Sequence, residues 1–218
     1  MIKQLAALRE GDTWWRWIAI GSGTLLVAVL LGAGGWYWWS RAQEASLDAF
    51  SRAAQLYREV TAEGKLEKSG DARRVLEEFL AQHSRSRATP LAAYYLGNLH
   101  YRAQAFAEAR AAYQQALQRG AKGDLALLSR AGIAYSWESE GQYANARRAY
   151  EETLAQLTPK HFLYEELVLA QARMQELQKD LPLALDTYRR LLKERPESRR
   201  ADEIRSRIAM LEGLQSRQ

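Results

Sequence analysis

The chain has 218 residues and a formal net charge of +5, enough for one domain of ordinary size with an appendage. It contains no cysteine, which excludes disulfides, thiolate nucleophiles and cysteine metal sites. Its basic excess is mainly arginine interleaved with acids, as in "RRAYEE" and "ARRVLEE", the pattern of solvated helix faces and not of a nucleic-acid patch.

Residues 1–16 form a short N-terminal tail carrying Lys3, Arg9 and Arg16 against Glu10 and Asp12. Residues 17–39 follow without a single charge. As a helix, these 23 residues reach roughly 34 Å, slightly more than a hydrocarbon core of about 30 Å. Trp14, Trp15 and Trp17 flank one end, and Trp36, Tyr37, Trp38 and Trp39 the other. Tryptophan favours the headgroup interface, where the ring is buried and its N–H stays wet. The expectation is an uncleaved transmembrane helix over 17–39. A cleavable signal peptide and a buried soluble helix are the alternatives; the length of the apolar run and the aromatic cluster before Ser40-Arg41-Ala42 argue against the first. Thr24, Ala28 and Gly32 share an i, i+4 ridge beside Gly21 and Gly35, a surface on which another membrane helix can pack closely. Arginine and lysine differ little between the flanks, so the short tail sets the expected topology, N-terminus inside and the rest outside.

From residue 40 to 218 the chain is rich in Ala, Leu, Arg, Glu and Gln, all good helix formers. Four prolines, at 90, 159, 182 and 196, punctuate it. Internal repetition is visible. A degenerate unit has a first helix over 45–61 and a second marked by Ala72, Leu76 and Phe79. "LAAYYLGNLHYRAQAFAEARAAYQQAL" supplies Leu96, Gly97, Phe106, Ala109, Tyr113 and Ala116. The next unit supplies Ile133, Ala134, Trp137, Gly141, Tyr143, Ala146, Tyr150 and Thr153, and the last Ala172, Leu181, Ala184, Tyr188 and Leu191. Ala109, Ala146 and Ala184 are spaced by 37 and 38 residues, which predicts longer loops than a period of about 34 requires. After Pro196, Ile204, Ile208, Leu211 and Leu214 lie on one face of a helix over about 199–214, suited to cap the last unit. Segment 189–207 holds eight basic against four acidic residues, a possible dock for an acidic partner.

These motifs resemble the tetratricopeptide repeat: Leu-Gly or its equivalent in a first helix, then aromatic, Ala and aromatic in the second. The fold class expected is all-α, one N-terminal transmembrane helix followed by a tetratricopeptide-repeat α-solenoid of three clear repeats, one degenerate repeat and a C-terminal capping helix. With "GAGGWYWWSRAQEAS" after the apolar run, the whole chain is similar to the YfgM-like ancillary subunits of the bacterial Sec translocon. That resemblance implies a single-pass inner-membrane protein with a cytoplasmic N-terminus and a periplasmic repeat domain. It implies a scaffolding or chaperone-like role on protein partners: membrane-complex subunits, the translocon, chaperones or unfolded clients.

In such stacks the first helix of each repeat lines the concave face. Carried over by position, Tyr94, Asn98, Tyr101, Arg102, Tyr135, Glu138, Arg173 and Glu176 become the partner-binding residues, with Tyr57 extending the set. Tyrosine gives rigid contact area, and Asn and Arg give hydrogen bonds to an extended backbone. The Lys/Asn/Arg set that clamps a terminal carboxylate in some family members is matched only at Asn98, so that mode is not expected. No catalytic, cofactor or metal site is expected. His83, His100 and His161 lie apart without ligands at helical spacing, and "GAGG" opens no phosphate-binding helix. The function expected is a membrane-anchored interaction module of the cell envelope. The alternative is a structural scaffold subunit of another membrane assembly, such as a secretion, pilus or cytochrome-maturation machine.

Overall fold

The computed structural model describes residues 2–216, apart from the side chains of 2–21, 23, 24, 26–28 and 42. Those residues are all-α. The helices are α1 (Ile2–Thr61), α2 (Ser69–Gln82), α3 (Thr89–Arg102), α4 (Phe106–Gln118), α5 (Gly123–Ser139), α6 (Tyr143–Leu154), α7 (Tyr164–Leu177), α8 (Leu181–Glu194) and α9 (Ala201–Gln215), with one 3-10 turn at Leu66–Lys68. Contacts divide the chain into two units, Met1–Asp48 and Ala49–Gln218.

The first unit lies within α1. Leu25, Val29, Leu30 and Leu31 are 60 to 72% exposed, and Trp36, Tyr37, Trp38 and Trp39 are 44 to 74% exposed. Arg41 donates from Nε to the Tyr37 hydroxyl at 3.2 Å and lies against the same ring. Among the described residues no helix is long and apolar enough to cross a membrane. The span expected at 17–39 falls partly outside those residues. Of the expected packing ridge, the side chains of Thr24 and Ala28 lie outside them too, while Gly32 is exposed and faces open space.

The second unit is built from pairs: each helix is too short to bury its apolar stripe alone, so successive helices pack and neighbouring pairs stack. Three buried clusters follow one another along the chain. The first joins Ala53 and Val60 of α1 to Leu76 and Phe79 of α2, Leu96 and Leu99 of α3 and Ala112 of α4. The second centres on Tyr150 and Ala146 of α6 with Ala134, Leu167 and Met174. The third joins α7 and α8 to Ile204 and Leu211 of α9. Ile208 packs against that cluster, and Leu214, expected on the same face, is 43% exposed.

Local sequence explains the boundaries. Pro90 and Pro182 sit in the first turns of α3 and α8, where an amide N–H has no helical partner to lose. The turns inside the three clear repeats share one device. Gln104, Gly141 and Lys179 adopt positive φ of 59°, 73° and 64°. At each, the next residue's N–H reaches back across the turn at 2.9 Å: Ala105 to His100, Gln142 to Trp137, and Asp180 to Gln175. This is the Schellman closure of a helix end. The surplus over the usual repeat length is not all in loops, as expected from spacing. Part is in α5, 17 residues long against 14 for α3; part is the connection 155–163 between α6 and α7.

One packing feature needs glycine at two places. The Tyr113 ring of α4 lies between Gly97 of α3 and Gly132 of α5. A Cβ at either would come within 2.6 Å of that ring.

Candidate functional site

The residues expected to face a partner lie on α3, α5 and α7, with Tyr57 on α1, but they do different things. Tyr94, Asn98, Tyr101 and Tyr135 line one cavity of about 240 Å³ between α3 and α5. Its floor is Leu128, Ala131, Gly132 and Leu163, and Tyr113 and Glu166 complete the wall. Tyr135 and Glu166 also line a wider opening of about 690 Å³ that continues toward Arg173, Arg195, Arg199 and Arg200. A third opening of about 430 Å³ shares Leu169, Arg173 and Arg200 and runs to Arg207 and Met210 of α9. Shared lining residues make these one groove along the first helices. Arg102, at the end of α3, is exposed and lines none of the three.

Glu138 and Glu176 are internal ties. Glu138 accepts hydrogen bonds from the Tyr150 hydroxyl of its own repeat and from the Arg173 guanidinium of the next. Glu176 accepts from the Tyr188 hydroxyl at 2.7 Å and from Arg207 of the capping helix. In the first clear repeat the comparable tie comes from Asn98, one helical turn earlier than the matching position, which holds Tyr101. The Asn98 Oδ1 accepts from Tyr113 at 2.8 Å, and its Nδ2 donates to Tyr57 at 2.8 Å. Each second-helix tyrosine is therefore anchored to a polar residue of the first helix, and that residue is tied to a neighbouring repeat. Sequence reasoning placed Glu138, Arg173 and Glu176 on the binding face and missed this pairing. A signal was present: Tyr150 and Tyr188 each lie 12 residues after their glutamates.

Burial, more than any neighbour, pushes the hydroxyls of Tyr113, Tyr135, Tyr150 and Tyr188 far above the ordinary tyrosine value. For Tyr135, Tyr150 and Tyr188 a carboxylate acceptor adds to this: Glu166, Glu138 and Glu176 in turn. Tyr164, with burial and Glu194 acting together, is raised to about 12. These phenols stay neutral donors, a structural task and not that of a general base.

The basic excess of 189–207 is largely cancelled in the fold. Arg189 meets Glu212, Arg195 meets Glu165, Arg200 meets Glu203, Arg205 meets Asp202 and Arg207 meets Glu176. Each of these five guanidiniums faces a carboxylate, while Arg190, Lys193 and Arg199 are in none of these pairs.

The tetratricopeptide repeat model matches residues 57–124 and 138–199, more than half of the chain. The chain belongs to the tetratricopeptide-repeat family. Tetratricopeptide stacks are protein–protein interaction scaffolds, and no catalytic family is indicated. Solved structures agree on the fold. A tetratricopeptide repeat protein from Parabacteroides merdae ATCC 43184 aligns at 16% identity and a TM-score of 0.61, over 76% of this chain and 61% of that one. The chain thus spans about three-fifths of that protein's length. The apo form of RapI aligns at 16% identity and a TM-score of 0.56, over 79% and 48%. Nearly identical tetratricopeptide-like repeats from Podosopora anserina align at 14% identity and a TM-score of 0.54, over 77% and 98%. No curated protein matches the sequence. The tetratricopeptide groove is accordingly the site where partner recognition is sought.

Proposed function

We propose that this chain is a membrane-anchored protein–protein interaction module of the bacterial cell envelope. Its tetratricopeptide groove holds extended segments of partner polypeptides. The observation that carries the anchor is the run of exposed side chains Leu25, Val29, Leu30, Leu31, Trp36 and Trp38 on α1. A contiguous apolar surface of that kind is unfavourable in water and suits hydrocarbon, with the tryptophans at the headgroup level. The N-terminus is then cytoplasmic and the repeat domain periplasmic. The finer role, an ancillary scaffold or chaperone-like subunit beside the Sec translocon, rests on the resemblance around "GAGGWYWWSRAQEAS".

Two measurements test this reading. An alkaline phosphatase fused after Gln218 is expected to be active in intact cells; a fusion active only as a cytoplasmic reporter inverts the topology and removes the envelope role. A photo-crosslinking residue at Tyr101 is expected to capture translocon subunits, chaperones or secreted chains. Adducts confined to cytosolic proteins, or none at all, overturn the scaffold assignment.

A further inference from the structure

The cavity between α3 and α5 differs in chemistry from the rest of the groove. Most of its hydrogen-bonding groups are already engaged, the Tyr94 hydroxyl being the exception among the described residues. Asn98 uses both ends of its amide, on Tyr57 and Tyr113. The Tyr101 hydroxyl pairs with Ser139 at 2.9 Å, and the Tyr135 hydroxyl donates to Glu166 at 2.6 Å. What remains for a ligand is the Tyr94 hydroxyl and ring faces over a floor of Leu128, Ala131, Gly132 and Leu163. A space of about 240 Å³ holds one large side chain, not a folded element.

The charge at its edge is specific. Glu166 is exposed, lines both this cavity and the wider opening, and forms no ion pair among the described residues. The arginines of the wider opening form their ion pairs elsewhere, Arg173 with Glu138, Arg195 with Glu165 and Arg200 with Glu203, and Arg200 reaches Glu166 only as a longer-range charge. Arg199 is exposed in that wider opening and does not line the cavity. The carboxylate beside the apolar pocket is therefore complementary to a cation on the ligand.

We infer that this cavity anchors one large apolar side chain of an extended partner segment, with a lysine or arginine of the same segment seated on Glu166. The inference rests on the groove being the partner-binding face, and it names the ligand class that face selects. Tyr101, Tyr135 and the leucines provide the van der Waals surface. Glu166 sets the direction of the segment, because a cation beside the anchor is favoured and a carboxylate is repelled.

The test uses the full chain in mild detergent and fluorescein-labelled peptides on a Gly/Ser/Ala host, each with one variable apolar position and one variable charge close by. Peptides with Leu or Phe beside Lys are expected to bind. Replacing the apolar residue by Ala is expected to weaken binding about tenfold or more. Exchanging Lys for Glu is expected to weaken it further, and rising salt is expected to shrink that charge preference but not the apolar one. In Glu166→Gln the Tyr135 hydroxyl keeps an acceptor, so the fold is retained; the Lys-over-Glu preference is expected to vanish while the Leu-over-Ala preference stays. Affinity indifferent to the apolar residue, a preference for Glu, an unchanged charge preference in Glu166→Gln, or no peptide binding would each overturn the inference. Capture at Tyr101 of partner segments lacking the apolar–basic pair would leave the scaffold reading standing and sink this one alone. Absence of any capture there would sink the scaffold reading itself.

Discussion

At the scale of single residues, the Tyr113 ring shows how little slack the stack has. Tyr113 is 3% exposed and is held by glycines on both faces, so it cannot retreat from an added methyl group. Gly132→Ala is expected to lower stability by roughly 1–3 kcal/mol, the usual range for overpacking, despite the gain of about 1 kcal/mol in helix propensity. Gly213 lies in α9 with open space around it, so Gly213→Ala is expected to raise stability by about 0.5–1 kcal/mol. Urea unfolding of the two variants separates the cases by sign; equal shifts would show that the ring has room. Gly97 was legible in the sequence as part of the Leu-Gly pair of a first helix. Gly132 was not, because its partner is a ring 19 positions earlier in the chain that only the folded stack brings alongside.

At the scale of elements, the turn after each first helix requires the left-handed conformation at one position. In the three clear repeats glycine occupies it at Gly141, and Gln104 and Lys179 hold it in the other two. A side chain there costs roughly 1–2 kcal/mol of backbone strain, partly offset because glycine loses more entropy on folding. Lys179 is exposed, so Lys179→Gly loses no packing. It is expected to stabilise by up to about 1 kcal/mol, read from the urea midpoint. A destabilised Lys179→Gly would mean that the closure of α7 depends on the lysine itself. Periodicity of Ala109, Ala146 and Ala184 made the repeats legible without any structure. It did not reveal that part of the surplus length had gone into α5, because spacing alone does not distinguish a longer helix from a longer loop.

At the scale of the whole molecule, the phenols make the stack sensitive to alkali. Tyr57, Tyr113, Tyr135, Tyr150, Tyr164 and Tyr188 are all raised in the fold above an ordinary value of 10.0, burial being the largest cause for each. Unfolded, the same groups lose their protons first as pH rises. Their contribution is therefore complete below about pH 10 and is lost as the pH climbs toward the folded values. The urea midpoint is expected to hold steady to about pH 9 and then fall steeply by about pH 11, in step with tyrosinate absorbance. A midpoint flat to pH values above about 11 would contradict the burial of these hydroxyls.

The sequence by itself determined the all-α class, the repeat register, the capping helix and the helices that line the groove. Those features are written in local periodicity and in small and aromatic residues at fixed spacing, and neighbouring repeats read them in the same way. Tertiary structure alone decided which polar residues of that groove are already matched. Glu138 and Glu176 looked like binding residues by position, yet Glu138 is held by Tyr150 and by Arg173 of the next repeat, and Glu176 by Tyr188 and by Arg207 of the capping helix. Tyr94, Tyr101, Tyr135 and the unexpected Glu166 form the accessible cavity instead. Position on a helix face is a local property; whether a charge is matched depends on what the next repeat places within hydrogen-bond reach.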